Sequence, residues 1–388
     1  MTETDQEEQL DLPPRGLEGP VAVIRLDRVA ENWRRLDRAS GPQTETAAAV
    51  KANAYGVGLA RVAPTLLNEG CRHFFVAHAR EALGLREILG ADPEIYVLNG
   101  PRTGLPLIRE AGAVPVLSAP EDIAIAAGAS EGGRCVLQFE TGMNRLGLPA
   151  EIIPELPQLL GSALKPVMFM SHLASADMPE SPQPEEQRAR WETMVPRLRE
   201  LNPEARVSLA ATGGILRGSA FHYDMSRPGI GLYGAAPFDM AGAAAVALFA
   251  PVLRAWTVEA GESSGYGETW TAPRQRRLAT VGIGYADGYP RALSNRGKAV
   301  VFATPSGDGG TSNAALERYT VPVVGRVSMD LLTIDITDAP PVFPGATVQL
   351  IGAPEVTLDA VAATAGTIGY ELLTGLGGRI ERRYTSAH

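Results

Sequence analysis

Short apolar runs alternate with amphipathic segments over the first two thirds of the chain. Between the runs lie segments such as 79–89 (AREALGLREIL) and 187–201, whose apolar residues recur at helical spacing. Apolar strands separated by helices are typical of a parallel sheet that is covered on its outside. The predicted strands are 45–53, 73–78, 95–100, 113–118, 134–141, 164–173, 205–212 and 227–234. Eight strands close a (β/α)8 barrel, so the pattern predicts an N-terminal TIM barrel over residues 19–250.

The alternation stops after residue 235. Residues 235–251 combine small residues with prolines and are predicted to be a linker, and residues 1–18 are predicted to be a mobile acidic tail. The later strand-like segments are separated at short intervals by Gly, Pro, Asn and Asp, which favours antiparallel β structure. These segments are 252–260, 276–288, 298–303, 318–337 and 346–352. The fold class is therefore α/β, with a mostly antiparallel β domain predicted over residues 251–388.

The composition limits the classes of function. The chain has 388 residues, 44 acidic and 35 basic, and a formal net charge of -9. This excess of acidic residues argues against broad contact with nucleic acid or an anionic membrane. Cys71 and Cys135 lack metal-binding spacing and are expected to be buried thiols. The start of the chain lacks the basic and apolar regions of a secretory signal, and we find no membrane-spanning run, so a cytoplasmic protein is expected.

Polar side chains follow the predicted barrel strands where each strand ends. They are Lys51, Asn99, Glu140, Thr141, His172, Thr212 and Tyr233. Barrel active sites lie at the C-terminal ends of the strands, so these groups are expected to converge on one rim. A polar residue at the end of any single strand is equally well explained if that strand simply ends at the solvent-exposed surface. Lys51 and His172 flank apolar runs directly, which favours a site.

A lysine at the mouth of an apolar barrel can be desolvated, which lowers its pKa and makes its amine nucleophilic toward aldehydes. The obvious aldehyde cofactor is pyridoxal phosphate, held as a Schiff base. Barrels often bind phosphate at the loops after strands 7 and 8. There the chain has 210–216 (AATGGIL) and 227–234 (RPGIGLYG), with a hydroxyl and exposed backbone N–H groups.

The chain resembles the alanine racemase family, bacterial pyridoxal-phosphate enzymes with an N-terminal barrel and a C-terminal β domain. Seven motifs match in order, and the general match runs from about residue 20 to the C-terminus. They are KANAYGVG (51–58), ETGMNRLGL (140–148), SHLASAD (171–177), RPGIGLYG (227–234), SGYGETW (264–270), IGYADGYPR (283–291) and GRVSMDLLTID (325–335). The resemblance implies interconversion of L- and D-alanine, which supplies D-alanine for peptidoglycan.

The resemblance also implies a role for each matching residue. Lys51 holds the cofactor and is the base on one face of the substrate α-carbon, while Tyr266 of a second subunit is the base on the opposite face. His172 hydrogen-bonds Tyr266 and supports its phenolate form. Arg227 contacts His172 and the pyridine nitrogen, which stays largely unprotonated because arginine gives up no proton.

Further residues match family positions around the cofactor and the substrate. Arg145 lies beside the phenolic oxygen of the cofactor and the substrate carboxylate, and Met329 of the second subunit offers its backbone N–H to that carboxylate. The phosphate ligands are Tyr55, Thr212, Gly229 and Ile230. The residues that line the substrate entrance are Asp177, Tyr285, Arg291 and Arg326. The implied assembly is a homodimer with shared active sites and no metal.

Three positions depart from the family pattern. Gln138 replaces a lysine that is often carbamylated to orient the arginine equivalent to Arg145; it can hydrogen-bond Arg145 but lacks the charge, which an anion such as chloride can replace. Val57 replaces a histidine. Gly378 replaces a tyrosine that narrows the entrance, which suggests a wider entrance and tolerance for larger side chains.

Alternative functions stay open at this point. A racemase of broader specificity, a D-amino-acid aldolase or a decarboxylase would keep the barrel and the lysine, but Arg227 and Tyr266 favour racemisation. A non-catalytic pyridoxal-phosphate-binding protein of the same barrel would not need the second domain. A zinc hydrolase is disfavoured because no HxH pair occurs among the five histidines.

Overall fold

The structure, a computed structural model, describes residues 13–129, 132–235, 242–304 and 316–385. Of the described residues, those within 26–243 form one compact unit, and those up to Arg25 together with those from Ala244 onward form the other. The strands are β1 Val21–Arg25, β2 Glu45–Thr46, β3 Ala48–Ala49, β4 His73–Val76, β5 Glu94–Val97, β6 Val114–Leu117, β7 Gly133–Gln138, β8 Leu164–Met170, β9 Arg206–Ser208, β10 Met225–Ser226, β11 Val246–Val258, β12 Arg276–Val281, β13 Lys298–Ala303, β14 Glu317–Val324, β15 Leu332–Asp335, β16 Thr347–Ile351 and β17 Glu381–Thr385. The α-helices are α1 Leu26–Ser40, α2 Leu59–Asn68, α3 Ala79–Leu89, α4 Leu105–Glu110, α5 Pro120–Ala127, α6 Leu156–Leu160, α7 Gln183–Leu201, α8 Thr212–Arg217, α9 Leu358–Ala365 and α10 Gly369–Thr374.

The first unit is a closed parallel barrel. Its strand order is β2-β10-β9-β8-β7-β6-β5-β4-β3. Strands β2 and β3 are two parts of one strand, separated only by Ala47, whose N–H donates to the carbonyl of Ser226 at 2.9 Å. Because β2 pairs with β10 and β3 pairs with β4, the sheet closes on itself. The predicted (β/α)8 barrel is confirmed.

The interior of the barrel is filled by alternate side chains of the strands. Phe75, Tyr96 and Met168 belong to one buried cluster to which most barrel strands contribute. The helices cover the outside with one apolar face; in α1, Val29, Trp33 and Leu36 are buried. The barrel is therefore a packed core that presents its chemistry only at the ends of its strands.

Two of the predicted barrel strands differ from the structure. The first ends at Ala49 rather than at residue 53, because Lys51–Tyr55 turns away from the sheet. The eighth is only Met225–Ser226, and much of the predicted strand 227–234 is instead a 3-10 turn at Ile230–Tyr233. Pro228 lacks the N–H that a central strand must donate, which explains why pairing stops there.

The second unit is built on an eight-stranded sheet of order β12-β15-β14-β13-β16-β11-β1-β17, in which β12 also pairs with β11. Every pairing is antiparallel except that of β1 with β17. The predicted mostly antiparallel domain is confirmed. The sequence pattern places residues 19–25 with the barrel, whereas the structure places β1 in this sheet.

Other sequence expectations also differ here. Part of the predicted linker 235–251 is the first half of β11, while residues 236–241 lie outside the described residues. Helices α9 and α10 were not predicted. Cys71 and Cys135 are buried and free of disulfides, as expected. Within the described ranges, no helix has the length and apolar character needed to cross a bilayer.

Candidate active site

Lys51 begins a left-handed turn at the end of the first barrel strand. The next four residues, Ala52 to Tyr55, have φ angles between 53° and 57°. Such a conformation is unfavourable for residues with a Cβ, and Asn alone among these types adopts it with some ease. The Asn53 side chain accepts the N–H of Leu59 at 2.8 Å and so supports the end of the turn.

The amine of Lys51 lies in an environment that disfavours its charge. Burial is the largest cause that lowers its pKa, followed by the positive charge of Arg145, while Glu81 opposes the shift and Arg227 adds to it. The neutral amine is the nucleophilic form of lysine. The structure thus gives Lys51 the character expected of a cofactor-binding lysine.

Four predicted phosphate ligands come together beside this turn. The hydroxyl of Thr212 accepts the N–H groups of Gly229 and Gly231, each at 3.2 Å, so the start of α8 is joined to the turn after β10. A Cβ at Gly229 would overlap the hydroxyl oxygen of Tyr55, which explains the glycine. Ile230 follows and is buried. The hydroxyl groups of Tyr55 and Thr212 and the backbone of Gly229 and Ile230 thus lie together in what we call the cradle, and hydroxyl and backbone N–H donors of this kind are the groups that bind phosphate.

Arg227 is buried and rigidly held at the end of β10. Its guanidinium donates to the hydroxyl of Ser208 at 2.8 Å, to the carbonyl of Ser171 at 2.6 Å and to that of Leu209 at 3.2 Å. Burial lowers the pKa of Arg227 to about 10, so the side chain remains charged at neutral pH. A fixed cation is therefore built into the barrel rim.

His172 lies at the end of β8, close enough to the cations of the site to be affected by them. Burial, and then the charges of Arg227, Arg145 and Lys51, lower the pKa of His172 to about 3. The imidazole is therefore neutral at physiological pH and can accept a hydrogen bond. Its backbone carbonyl accepts the side-chain N–H of Gln187 at 2.9 Å, which fixes this strand end.

Arg145 is carried by a loop that a carboxylate organises. Glu140 accepts backbone N–H groups from Gly142, from Met143 at 2.6 Å and from Asn144 at 2.8 Å. Gln138 donates its amide to the carbonyl of Leu146 at 3.2 Å, one residue beyond Arg145. The side chain of Gln138 thus supports the backbone of this loop.

Asp177 lies on the loop after β8, beside the start of α8. Arg217 donates to the carbonyls on both sides of it, at 3.0 Å to Ala176 and also to Met178. The Asp177 side chain is exposed. Asp177 belongs to the barrel unit. A Cβ at Gly213 would lie 2.9 Å from the backbone of Ala176, so this loop packs beside Thr212, a residue of the cradle.

The other predicted site residues belong to the β unit, where they form one exposed patch. The backbone N–H of Tyr285 donates to the carbonyl of Ser328 at 3.0 Å, and the next N–H donates to that of Met329 at 3.0 Å. Tyr266 stands at the tip of the loop between Ser263 and Thr271, which pair as an isolated bridge. The exposed fractions are 72% for Tyr266, 54% for Met329 and 43% for Tyr285.

Arg291 and Arg326 belong to the same patch and are exposed. Asn295 joins the segments that carry them: its side chain accepts the N–H of Gly325 at 2.6 Å and donates to the carbonyl of Thr269 at 3.2 Å. Five predicted residues of the β unit are thus held together, and nine of the barrel unit surround one rim or its adjoining loop.

Sequence reasoning missed the residues that hold the reactive groups in place. Glu81 contacts the turn after Lys51, Gln187 fixes the strand end at His172, and Ser208 binds Arg227. Only Glu81 has a sequence signal, since it lies three residues after the helix-capping position His78. Within the described part of the chain, no group of three or more His, Cys, Asp or Glu could hold a metal ion.

Comparison with known families agrees with this arrangement. The family model for the alanine racemase N-terminal domain matches residues 24–237, and that for the alanine racemase C-terminal domain matches residues 245–384. The chain belongs to the alanine racemase family. Its similar relatives include the alanine racemase of Cereibacter sphaeroides, 43% identical over 93% of this chain and 97% of that protein, and that of Methylobacterium nodulans, 45% identical over 94% and 96%.

Solved structures of alanine racemases have the same fold. The Bartonella henselae alanine racemase, solved with covalently bound pyridoxal phosphate, has a TM-score of 0.83 at 34% identity and covers 96% of this chain and 100% of that chain. The biosynthetic alanine racemase of Pseudomonas aeruginosa has a TM-score of 0.83 at 32% identity, with 95% and 100% covered. The family resemblance seen in the sequence motifs is therefore confirmed over both units.

Proposed function

We propose that the protein is a pyridoxal-phosphate-dependent racemase that interconverts L- and D-alanine with two proton-transfer groups, Lys51 and the partner subunit's Tyr266. The observation that carries the proposal is the environment of Lys51. The amine lies at the rim of a closed barrel, near Arg145 and Arg227 and beside the cradle, and burial lowers the pKa of the amine. The relatives named alanine racemase support the same reaction.

The residues of the barrel rim fit the cofactor. Lys51 is the amine for covalent attachment, and Tyr55, Thr212, Gly229 and Ile230 would hold the phosphate. Pyridoxal phosphate supplies an electron sink that makes the substrate α-hydrogen acidic. Arg227 would face the ring nitrogen; since it remains charged and gives up no proton, it limits electron withdrawal by the ring and disfavours transamination.

The proton transfers belong to two side chains. Racemisation requires a proton to leave one face of the α-carbon and another to arrive at the opposite face. The Nζ atom of Lys51 serves one face, and the hydroxyl oxygen of the partner's Tyr266 serves the other. An ordinary tyrosine, with a pKa of about 10, is a weak base, so neutral His172 would donate its ring N–H to the oxygen of Tyr266 and support the ionised form of that side chain.

Arg145 would bind the substrate carboxylate together with the backbone N–H of the partner's Met329. Asp177, together with the partner's Tyr285, Arg291 and Arg326, would line the entrance. The exposed patch around Tyr266 supports assembly of a homodimer with shared active sites, because three large side chains there remain open to solvent in the single chain. We further propose a cytoplasmic protein that supplies D-alanine for peptidoglycan.

The position of Gly378 favours a second candidate, a racemase of broader specificity. Its neighbour Arg379 pairs with Asp287, which ends the turn of Tyr285, at 2.9 Å and with Asp330, next to Met329, at 2.8 Å. Among the described residues of the single chain, none has an atom within 4 Å of where a Cβ at Gly378 would be. Open space beside the entrance residues would admit amino acids larger than alanine.

The function is tested by incubating the purified protein and cofactor with each alanine enantiomer. We expect both solutions to converge on equal amounts of L- and D-alanine without release of pyruvate. Lys51→Ala should abolish racemisation and the absorbance of bound cofactor, whereas Lys165→Ala, at a lysine that is exposed, should leave both unchanged. Bound cofactor without racemisation of any amino acid would instead support a non-catalytic binding protein.

A further inference from the structure

The carboxylate of Glu81 joins the turn of Lys51 to the neighbouring strand end. One oxygen, Oε1, accepts the N–H of Ala52 at 2.5 Å. The other, Oε2, accepts the N–H groups of Ala77 at 2.8 Å and His78 at 2.9 Å, just beyond β4. We propose that Glu81 is a positioning residue for Lys51: its carboxylate holds the left-handed turn that carries the lysine, and its negative charge acts on the lysine amine.

Helix capping explains only part of this arrangement. Glu81 lies in the first turn of α3 and forms a capping box with His78, for which the bond from Oε2 is sufficient. Asp122 is the third residue of α5, as Glu81 is of α3. One carboxylate oxygen of Asp122 accepts the N–H of Ser118 at 3.0 Å, but the other accepts a hydrogen bond from Arg102 at 2.7 Å. The contact from Glu81 to Ala52 is therefore an addition to the cap and not a requirement of it.

The contact is made where the backbone is most strained. Ala52 is the first of four consecutive left-handed residues, each of which costs about 1–2 kcal/mol when it carries a Cβ. Strain of this kind persists only where the surroundings fix it. Glu81 holds the start of the turn, as Asn53 holds its end, so the direction in which Lys51 leaves the backbone depends on the carboxylate.

The charge of Glu81 is the second part of the role. The charged and titratable groups that act on Lys51 are Glu81, Arg145, Arg227 and, through its own electrostatic coupling, His172. Burial and the two arginines lower the pKa of the amine, whereas Glu81 raises it. Glu81 thus keeps the protonated amine available, and under the proposed function this is the form that returns a proton to the substrate.

The test is the reactivity of the Lys51 amine in the full chain after removal of the cofactor. The chain contains three lysines, Lys51, Lys165 and Lys298, so labelling with acetic anhydride at a series of pH values can be followed at each by mass spectrometry. In Glu81→Gln, which retains an oxygen acceptor but loses the charge, the pH of half-maximal labelling of Lys51 should fall by about one unit. Lys165 and Lys298 should label as in the wild type.

Two further variants separate charge from position. Glu81→Asp keeps the charge but is too short to span both contacts, so Lys51 should label near the wild-type pH while kcat falls about tenfold or more and KM changes less. The matched control Asp122→Asn removes a carboxylate at the corresponding place after β6 and should change neither the labelling of Lys51 nor kcat.

The inference is overturned if Lys51 labels at the wild-type pH in Glu81→Gln, if Asp122→Asn shifts it equally, or if Glu81→Asp retains full kcat. The labelling arm does not depend on racemisation. A labelling shift in a protein that racemises nothing would therefore refute the proposed function alone, whereas normal labelling in an active racemase would refute the role of Glu81 alone.

Discussion

Gly229 lies directly against the hydroxyl group of Tyr55, and a Cβ at position 229 would overlap that oxygen. The contact brings the turn after β10 against the left-handed turn of Lys51. Tyr55 is buried there, with its ring centre 5.1 Å from that of Tyr233, so it has little room to move. The geometry of the cradle therefore depends on glycine at position 229, because any larger side chain would displace the Tyr55 hydroxyl.

Gly229→Ala should weaken cofactor binding because it displaces the Tyr55 hydroxyl from the cradle. We expect the dissociation constant for pyridoxal phosphate, measured by absorbance titration, to rise about tenfold or more, the equivalent of one lost hydrogen bond to a charged group. The control is Gly84→Ala, in α3, where no atom of the described part of the chain lies within 4 Å of the new Cβ and where alanine favours the helix. Equal affinity in Gly229→Ala would contradict the cradle.

His172 should make the stability of the cofactor-free protein depend on pH. Burial and neighbouring cations lower its pKa to about 3 in the folded chain. The unfolded chain binds a proton below about pH 6.5, so the stabilising effect of the neutral imidazole is present above that pH and lost as the pH falls. Between pH 8 and 5.5, the wild type should lose about 1.4 kcal/mol of unfolding free energy relative to His172→Gln.

Urea unfolding of both proteins at the two pH values measures this difference. An equal loss in wild type and variant would mean that His172 has an ordinary pKa in the folded chain. In that case the imidazole would be protonated below about pH 6.5, and the proposal that His172 stays a neutral hydrogen-bond partner of Tyr266 throughout the physiological range would fail.

Gly378→Tyr should narrow the substrate range. Because the space beside Gly378 is open, the protein should accommodate the aromatic ring without loss of fold. We expect racemisation of serine and valine, relative to alanine, to fall by about tenfold or more in kcat/KM, which is the discrimination that a pocket of limited size can supply. A wild-type enzyme that racemises alanine alone in this panel would refute the wider entrance.

Shared active sites predict complementation between two inactive variants. Lys51→Ala and Tyr266→Phe chains, carrying different tags and produced together, should form a heterodimer that contains one intact site and one doubly altered site. Its activity should be roughly half that of the wild-type dimer, since a symmetric dimer has two equivalent sites. An inactive heterodimer would indicate that Lys51 and Tyr266 of the same chain work together.

The sequence was sufficient to predict the barrel and those rim residues whose side chains are polar or reactive. The regular alternation of apolar strands and amphipathic helices determines the barrel, and Lys51, His172 and Thr212 were recognised as polar residues at strand ends. The eighth strand is predicted too late in the chain, because the apolar residues that follow it, around Ile230 and Tyr233, form a buried turn. A buried strand and a buried turn both give a run of apolar residues, so hydrophobic periodicity does not distinguish a strand from a turn here.

The contacts that orient the site could not be predicted from the sequence. Ala52 and Ala54 have no intrinsic preference for positive φ, so the left-handed turn follows from tertiary contacts. Glu81 carries a helix-start signal, but that signal contains no information about a partner 29 residues earlier. Similarly, β1 pairs with β11 and β17, which are distant in the sequence, and no local pattern assigns it to the β unit.

The central claim, proton transfer by Lys51 on one face and Tyr266 on the other, is tested most directly by hydrogen exchange in the Tyr266→Phe variant. The variant is incubated with each alanine enantiomer in D2O, and deuterium at the α-carbon and chirality are measured together. We predict that racemisation falls by about a hundredfold or more while deuterium still enters one enantiomer with retention of configuration. Equal deuterium exchange from both enantiomers would contradict the two-base account.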